Sequence, residues 1–408
     1  LHEPHVKPLD SKSPTPAYMD KGHPILRKIK RPLENIRRAW FRRAAARLAA
    51  RDRSRWVGRP AGRTRLAFVL KEITYLKAFM PLVRLWEERY EIVFCVYGDD
   101  EKATSPIRHR RHLAVTDPYP RIWFQNAADL VDSCRAQGIV NLFTLEAMPL
   151  GEEPYEDPGI NLYVITHMTD FNRTLSWYYD KASHILFHSR YMAGDHALRD
   201  PEKKFRYTGY SQYLVLPGLN RETILEKYGL PSDRRIIFIF GPQKKFYTQT
   251  RCVLRILADY ARERGFFLVY KTRRKNPVTP RLRWLLRSFK TVYDESYYPP
   301  TSLELMHVSD LVVNFDSTGI QEILMLEKKV VNIHVKVGYR GMNEIYEEDA
   351  VADLPLAQAC REELVGTLDR MMAVDLSAGM RRMRQTYFPG TEEILASYRA
   401  LEETFVRA

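Results

Sequence analysis

The sequence is poor in several features that mark whole protein classes. Its 408 residues hold four cysteines, Cys95, Cys134, Cys252 and Cys360, with no C-x-x-C pair and no histidine cluster beside them. That spacing argues against a disulfide framework or a zinc site and reads as reduced core or surface thiols in a cytosolic protein. No run approaches the ~18 apolar residues of a membrane span, and the amino terminus lacks the short apolar core of a secretion signal. No three-ligand metal constellation is visible, and no Asp-x-Asp pair stands at a strand end in the second half.

What is present is a well-furnished globular chain. A hydrophobic content of 45% with 12% aromatics is enough for sizeable cores, which excludes a disordered protein. The length corresponds to two or three domains. The net charge of +14 is unevenly placed. Residues 21–65 alone carry 16 Lys/Arg against Glu34 and Asp52, and the 343 residues that follow are nearly neutral. The basicity therefore belongs to an arm and not to the body, and no nucleic-acid partner is expected of the fold.

The arm has a pattern. Between residues 25 and 56, Ile29, Leu33, Ile36, Trp40, Ala44 and Leu48 fall at steps of three and four, one stripe on a helix. Arg37, Arg38, Arg42, Arg43, Arg47 and Arg51 flank it. Such a helix suits an anionic membrane surface, apolar face down and arginines on the head groups. The bland alternative is a solvated helix that packs its stripe on the body, and a third reading is nucleic-acid or partner-helix binding. Residues 1–24 read as a flexible tail and 56–65 as a linker.

Beyond residue 65, near-continuous apolar strands alternate with helices. Strands are expected at 65–70, 91–98, 138–147, 161–168, 183–189 and 213–218, and again at 236–240, 266–277, 291–294, 310–316 and 329–335. Helices are expected between them, one of them over 319–328, and the last ~60 residues read as mostly helical. This pattern predicts parallel sheets covered on both faces. It occurs twice, on either side of residues 219–235. The fold expected is α/β, two doubly wound Rossmann-like domains facing a cleft. The divisions are 1–64 for tail, helix and linker, 65–220 for an acceptor domain, 221–390 for a donor domain and 391–408 for a terminal helix.

In such sheets ligands bind beyond the carboxyl ends of the strands. The residues there are Gly241 and Lys244 after one strand, Lys271 and Arg273 after the next, and Asp316-Ser317-Thr318-Gly319 after a third. Where a strand turns into a helix, unpaired backbone N–H groups favour an anion, and hydroxyls add donors. Ser317, Thr318 and Gly319 suit a phosphate, and Glu322 one turn on suits sugar hydroxyls. Lys271 and Arg273 would neutralise a diphosphate. The alternatives are plain: Asp316-Ser317 as an ordinary N-cap pair, Glu322 as a solvated helix residue. In the first half His167 follows an apolar strand with Asp170 three residues on, a pairing able to act as a general base. A buried, structurally satisfied histidine is the competing reading. His184 and His188 alternate in a strand pattern and carry less weight.

At these residues, V-N-F-D-S-T-G-I-Q-E, T-H-M-T-D, G-P-Q-K-K and V-Y-K-T-R-R-K, the chain resembles the GT-B superfamily. That group holds nucleotide-sugar glycosyltransferases, CDP-glycerol glycerophosphotransferases and hydrolysing UDP-N-acetylglucosamine 2-epimerases. The resemblance covers residues 66–408 in architecture. It implies that Ser317, Thr318, Gly319 and Glu322 grip phosphate and ribose, with Lys271 and Arg273 as the basic strand end. It implies His167 near the reacting centre.

The chain departs from the epimerase pattern, with Met168-Thr169-Asp170-Phe171 in place of the His-x-Glu-Ala-Gly run and V-K-V-G-Y-R-G-M-N-E after the last site strand. It departs from the glycerophosphotransferase pattern too, with His-Met-Thr for His-Gly-Thr. The resulting expectation is a metal-independent, inverting GT-B glycosyltransferase or a close phosphotransferase relative. It would be cytoplasmic and peripheral on the inner membrane face. No cofactor is required beyond the donor, a UDP-sugar or CDP-linked substrate, and the acceptor is a glycan or lipid-linked molecule. The epimerase, and a non-catalytic scaffold acting through the basic arm, are the rivals.

Overall fold

The computed structural model describes residues 35–36, 39–41, 43–52, 62–99, 104–145, 159–166, 179–188, 200, 202–272, 278–293, 295–317, 319–335, 351–375, 378, 381–382, 385 and 388–407. His167, Asp170, Arg273 and Thr318 lie outside the described residues, as do residues 1–34.

Two parallel sheets organise these residues. The first contains β1 (Arg65–Leu70), β2 (Glu91–Tyr97), β3 (Arg121–Phe124), β4 (Asn141–Leu145), β5 (Asn161–Ile165), β6 (His184–Phe187) and β7 (Phe205–Tyr207). Their order is β3-β2-β1-β4-β5-β6-β7. The second contains β8 (Ile236–Phe240), β9 (Phe267–Lys271), β10 (Lys290–Val292), β11 (Leu311–Asn314), β12 (Val330–His334) and β13 (Val351–Pro355), ordered β10-β9-β8-β11-β12-β13. Every strand pair is parallel. The reason is visible in the sequence: Leu66 to Leu70 and Ile236 to Ile239 are fully buried, so both faces of each strand are covered. Stacked rings fill the first core, with Phe143 and Tyr163 centred 4.5 Å apart and Phe68 and Phe143 at 5.1 Å.

The order reverses at β1, between β2 and β4, and at β8, between β9 and β11. These two switch points fix where a ligand crevice opens in each sheet.

Five elements differ from the sequence expectation. The apolar run Tyr213–Leu216 is a 3-10 segment, Ser211–Gly218, and not a strand. Pro217 removes a ladder donor, and Ser211 Oγ is tied to the carbonyl of Ala78, 2.6 Å away on the Leu76–Trp86 helix. β3, β7 and β13 are additional strands at sheet edges, four, three and five residues long. The helix expected over 319–328 spans only Ile320–Met325.

The carboxyl-terminal helix, Thr391–Ala400, returns to the first sheet. Tyr398 donates to the carbonyl of Gly209 at 3.1 Å, and Glu402 accepts from Trp86 Nε1 and Tyr90 Oη, both at 3.0 Å. The Phe405 ring sits against Trp86, Tyr90, Phe143 and Tyr163. The last residues of the chain thus close the core of the first sheet.

The amino-terminal helix is docked at its carboxyl end. Asp52 is buried and accepts from Arg121 Nε at 3.0 Å, Arg121 Nη2 at 3.1 Å and Trp123 Nε1 at 2.9 Å. Those bonds hold its carboxyl below the usual range against the opposing effect of burial. Ala45 is also buried, beside Gly98. Farther back along the helix Ile36 and Trp40 are 67% and 60% exposed. Among the described residues no helix is long and apolar enough to cross a membrane.

Candidate functional site

Three neighbouring strand ends of the second sheet build the candidate site. β8 exits into Gly241, β9 ends at Lys271, and β11 exits through Phe315-Asp316-Ser317 toward Gly319. Phe240 pairs with Lys271 across β8 and β9. The Phe240 ring also floors the β11 turn, since a Cβ on Gly319 would stand 3.1 Å from its Cζ. Gly241 admits no side chain at all: a Cβ there would be 2.2 Å from Tyr270 Oη. Close approach therefore requires the glycine at 241 and leaves only tight space at 319.

A polar ladder along β11, β12 and β13 fixes the turn. Asp316 has φ +46°, a left-handed conformation unusual for a residue with a side chain. Its carboxylate accepts from Val335 N–H at 2.8 Å and His334 Nδ1 at 2.9 Å. His334 Nε2 lies 3.0 Å from Asp353 Oδ1. With a carboxylate on each ring nitrogen, its pKa rises to about 9, Asp316 being the larger influence, and the ring is an imidazolium at neutral pH. Asn332 donates to Asp353 at 3.0 Å and accepts from Asn314 at 2.9 Å. Asp316 is therefore not the N-cap that its sequence position allows: Gly319 holds that place, with no side-chain cap bond.

Two buried polar atoms at these strand ends, Thr272 Oγ1 after β9 and Asn314 Oδ1 on β11, have no hydrogen-bond partner among the described residues. Buried polar groups are nearly always satisfied. Ser317 is buried beside them, its Oγ 3.4 Å from Gly319 N–H. Glu322 is half-buried on the short helix. Lys271 is buried at the end of β9. Lys244 stands apart, exposed on a 3-10 turn, lining a cavity of about 200 Å³ with Tyr247, Arg251, Thr279 and Leu282. The structure thus brings together Gly241, Lys271, Ser317, Gly319 and Glu322 and places Lys244 on the β9 side of them.

The first sheet reaches this site through a residue that the sequence pattern ranked low. His188 follows β6 directly and is buried. Its Nε2 lies 2.8 Å from Oε1 of Gln321, the residue before Glu322, and its Nδ1 lies 3.4 Å from Thr166 Oγ1. Burial pushes its pKa down. Thr166, the residue before His167, is pinned through its N–H to the Leu186 carbonyl at 2.9 Å. Thr166 therefore stands beside the point where the two sheets meet. A buried histidine that touches a residue distant in sequence leaves no local signature. The H-I-L-F-H alternation is that of any strand.

Among the described residues no group of three or more His, Cys, Asp or Glu could hold a metal ion. The four cysteines are free. Cys95 and Cys134 are buried side by side, and their contact with burial raises the Cys95 pKa well above its usual value.

No family model and no curated protein matches the chain by sequence. Solved structures do match by shape. A Listeria monocytogenes protein described as a UDP-N-acetylglucosamine 2-epimerase superposes with a TM-score of 0.61 at 13% identity, over 84% of this chain and 96% of its own. The Neisseria meningitidis UDP-GlcNAc 2-epimerase bound to UDP-GlcNAc gives 0.57 at 11%, over 84% and 99%. The wall teichoic acid polymerase TagF gives 0.57 at 13%, over 93% and 98%. The chain has the GT-B fold. In GT-B terms the first sheet, with the returning terminal helix, is the amino-terminal half and the β8–β13 sheet the carboxyl-terminal half. The crevice at β8 then lies where the two halves meet through His188 and Gln321.

Proposed function

We propose that this GT-B protein is a transferase that takes a nucleoside-diphosphate-activated donor and extends a glycan or lipid-linked acceptor at a membrane surface. One observation carries the reading. Gly241, Lys271, Ser317, Gly319 and Glu322 converge on adjacent strand ends at the switch point of the second sheet, beside the orphaned Thr272 Oγ1 and Asn314 Oδ1. Backbone N–H groups and hydroxyls of residues 317–319 take the phosphates. The helix that follows has six residues, so its dipole is small and the local donors carry the charge. Lys271 and Arg273 neutralise the diphosphate as it leaves, and Lys244 stands at the rim. Glu322 accepts from the ribose hydroxyls. His167, oriented by Asp170, takes the proton from the acceptor hydroxyl.

The structural neighbours include proteins named as epimerases, two of them bound to UDP-GlcNAc, so the donor chemistry is shared with that reading. Transfer is favoured by the sequence after β5 and after β12, which lacks the epimerase runs. The discriminating experiment incubates the protein with UDP-GlcNAc or CDP-glycerol, with and without a lipid-linked glycan acceptor. Donor consumption that requires acceptor, and that His167→Ala reduces by about 100-fold or more with nucleotide binding intact, is the expected result. Conversion of UDP-GlcNAc in the absence of acceptor would replace transfer by epimerisation.

A further inference from the structure

A second cavity opens between the two halves of the molecule. It has a volume of about 330 Å³ and is lined by Arg108, His109, Arg110, Arg111 and His112 from the first half and by Tyr293 and Glu295 from the second. Residues 108–112 lie in the connection from β2 to β3, whose Thr104 carbonyl accepts from Ile73 N–H at 2.8 Å just beyond the carboxyl end of β1, and residues 293 and 295 come just after β10. The cavity therefore opens on the same carboxyl-end face as the donor crevice, but on its β2/β10 flank. Among the described lining residues three arginines stand with one carboxylate. Arg110 and Arg111 are exposed on the short Arg110–Leu113 turn of helix. His112 packs on Tyr297 across the divide, ring centres 5.1 Å apart, which sets the two walls in register.

The docked amino-terminal helix borders this cavity. The Arg108 guanidinium lies 5.9 Å from the Phe41 ring and that of Arg110 5.9 Å from the Trp40 ring. Trp40 and Ile36 are the exposed large apolar side chains among the described residues of that helix. A continuous surface thus runs from an apolar edge, through stacked arginines, into a cationic cavity shared by both halves. Arginine forks match phosphate oxygens two at a time, and cations clustered in a concave site focus an anionic field.

We infer that this cavity is the acceptor subsite and that it takes a phosphate ester of the acceptor, held by Arg108, Arg110 and Arg111. The inference rests on the transferase reading and deepens it: the acceptor is anionic at the unit near the growing end. The arginines that hold the phosphate all stand on the wall of the first half, with Glu295 on the facing wall. Glu295 opposes the anion and limits its residence.

The test uses the full chain and inorganic tripolyphosphate as the probe, titrated calorimetrically with saturating nucleotide present so that the donor site is filled. Wild type is expected to bind, and Arg110→Ser/Arg111→Ser to bind about tenfold more weakly or worse with a shallower salt dependence. Glu295→Gln, on the other wall, is expected to bind more tightly. Equal binding by all three overturns the assignment. Vesicles of equal parts phosphatidylglycerol and phosphatidylcholine, and a homopolymeric RNA, separate the sources. If the double variant loses vesicle or RNA binding while keeping tripolyphosphate binding, the arginines serve a lipid surface or a nucleic acid and the acceptor subsite is refuted. If wild type binds no nucleotide, the donor reading fails by itself, and the tripolyphosphate comparison without nucleotide still decides the cavity.

Discussion

His334 shows how a single residue can hold a turn from the neighbouring strand, its ring set between Asp316 and Asp353. Its raised pKa of about 9 comes from hydrogen bonds to Asp316 and Asp353. A histidine whose folded pKa is raised binds protons more tightly in the folded state, so stability is fully present below pH 6.5 and is lost as pH rises through 9. The contribution at neutral pH is of order 2–3 kcal/mol, since each tenfold gain in proton affinity is worth about 1.4 kcal/mol. Thermal melts from pH 6 to pH 10 are expected to show a fall in Tm centred between those values, and His334→Gln should flatten it. An unchanged profile in the variant would show that the Asp316 turn is held by something else. Gly241→Ala tests the neighbouring strand end. The added methyl meets Tyr270 Oη at 2.2 Å and Cζ at 2.4 Å, so Tyr270→Phe relieves only part of the clash. A loss of about 1–3 kcal/mol, read in urea melts, is expected. That the D-S-T-G run stands where a strand gives way to a helix was legible in the sequence, because an apolar β-branched run is followed there by hydroxyls and a glycine. The ladder behind it was not, because Asn314, Asn332 and Asp353 come together only once β11, β12 and β13 are aligned.

At the scale of elements, the amino-terminal helix is anchored at one end and open at the other. The Asp52–Arg121 pair is buried on both sides, with side-chain exposures of 2% and 3%. Removing one partner of such a pair costs roughly 3–5 kcal/mol because the other charge stays buried. Asp52→Ala is therefore expected to release the helix, seen as faster tryptic cleavage near residue 52, or to lower Tm by several degrees. Resistance equal to wild type would mean that Ala45 and its neighbours suffice. The arginine-flanked stripe was readable from spacing alone. Its partners were not, since Arg121 lies on a short edge strand that periodicity passes over and Asp52 looks like any helix-end acid. The same limit explains the Tyr213–Leu216 run. Four apolar residues suit a buried strand or a covering segment equally well, and only the anchor on Ala78 decides.

For the whole molecule, two sheets of seven and six parallel strands are joined, among the described residues, by His188 to Gln321 across the crevice, by His112 packed on Tyr297 and by the carboxyl-terminal helix that returns to the first sheet. Phe405 closes a ring cluster of Trp86, Tyr90, Phe143 and Tyr163, so Phe405→Ala is expected to cost about 3 kcal/mol or more, measured by denaturant unfolding. The strands-and-helices alternation made the doubled architecture legible, because parallel sheets need both faces covered and leave long apolar runs. The return of the last helix could not be read, since it depends on a surface assembled from strands more than two hundred residues away in sequence.

The claim on which the rest depends is that the β8–β11 crevice holds a nucleoside diphosphate. The direct measurement is the melting temperature of wild type and Glu322→Ala with UDP, CDP, GDP, CMP or buffer. A ligand at about 100 times its Kd stabilises the native state by about 2.7 kcal/mol, a shift of several degrees. A rise with one diphosphate that Glu322→Ala abolishes is the predicted result, and it also names the base of the donor. No rise with any nucleotide would contradict the account.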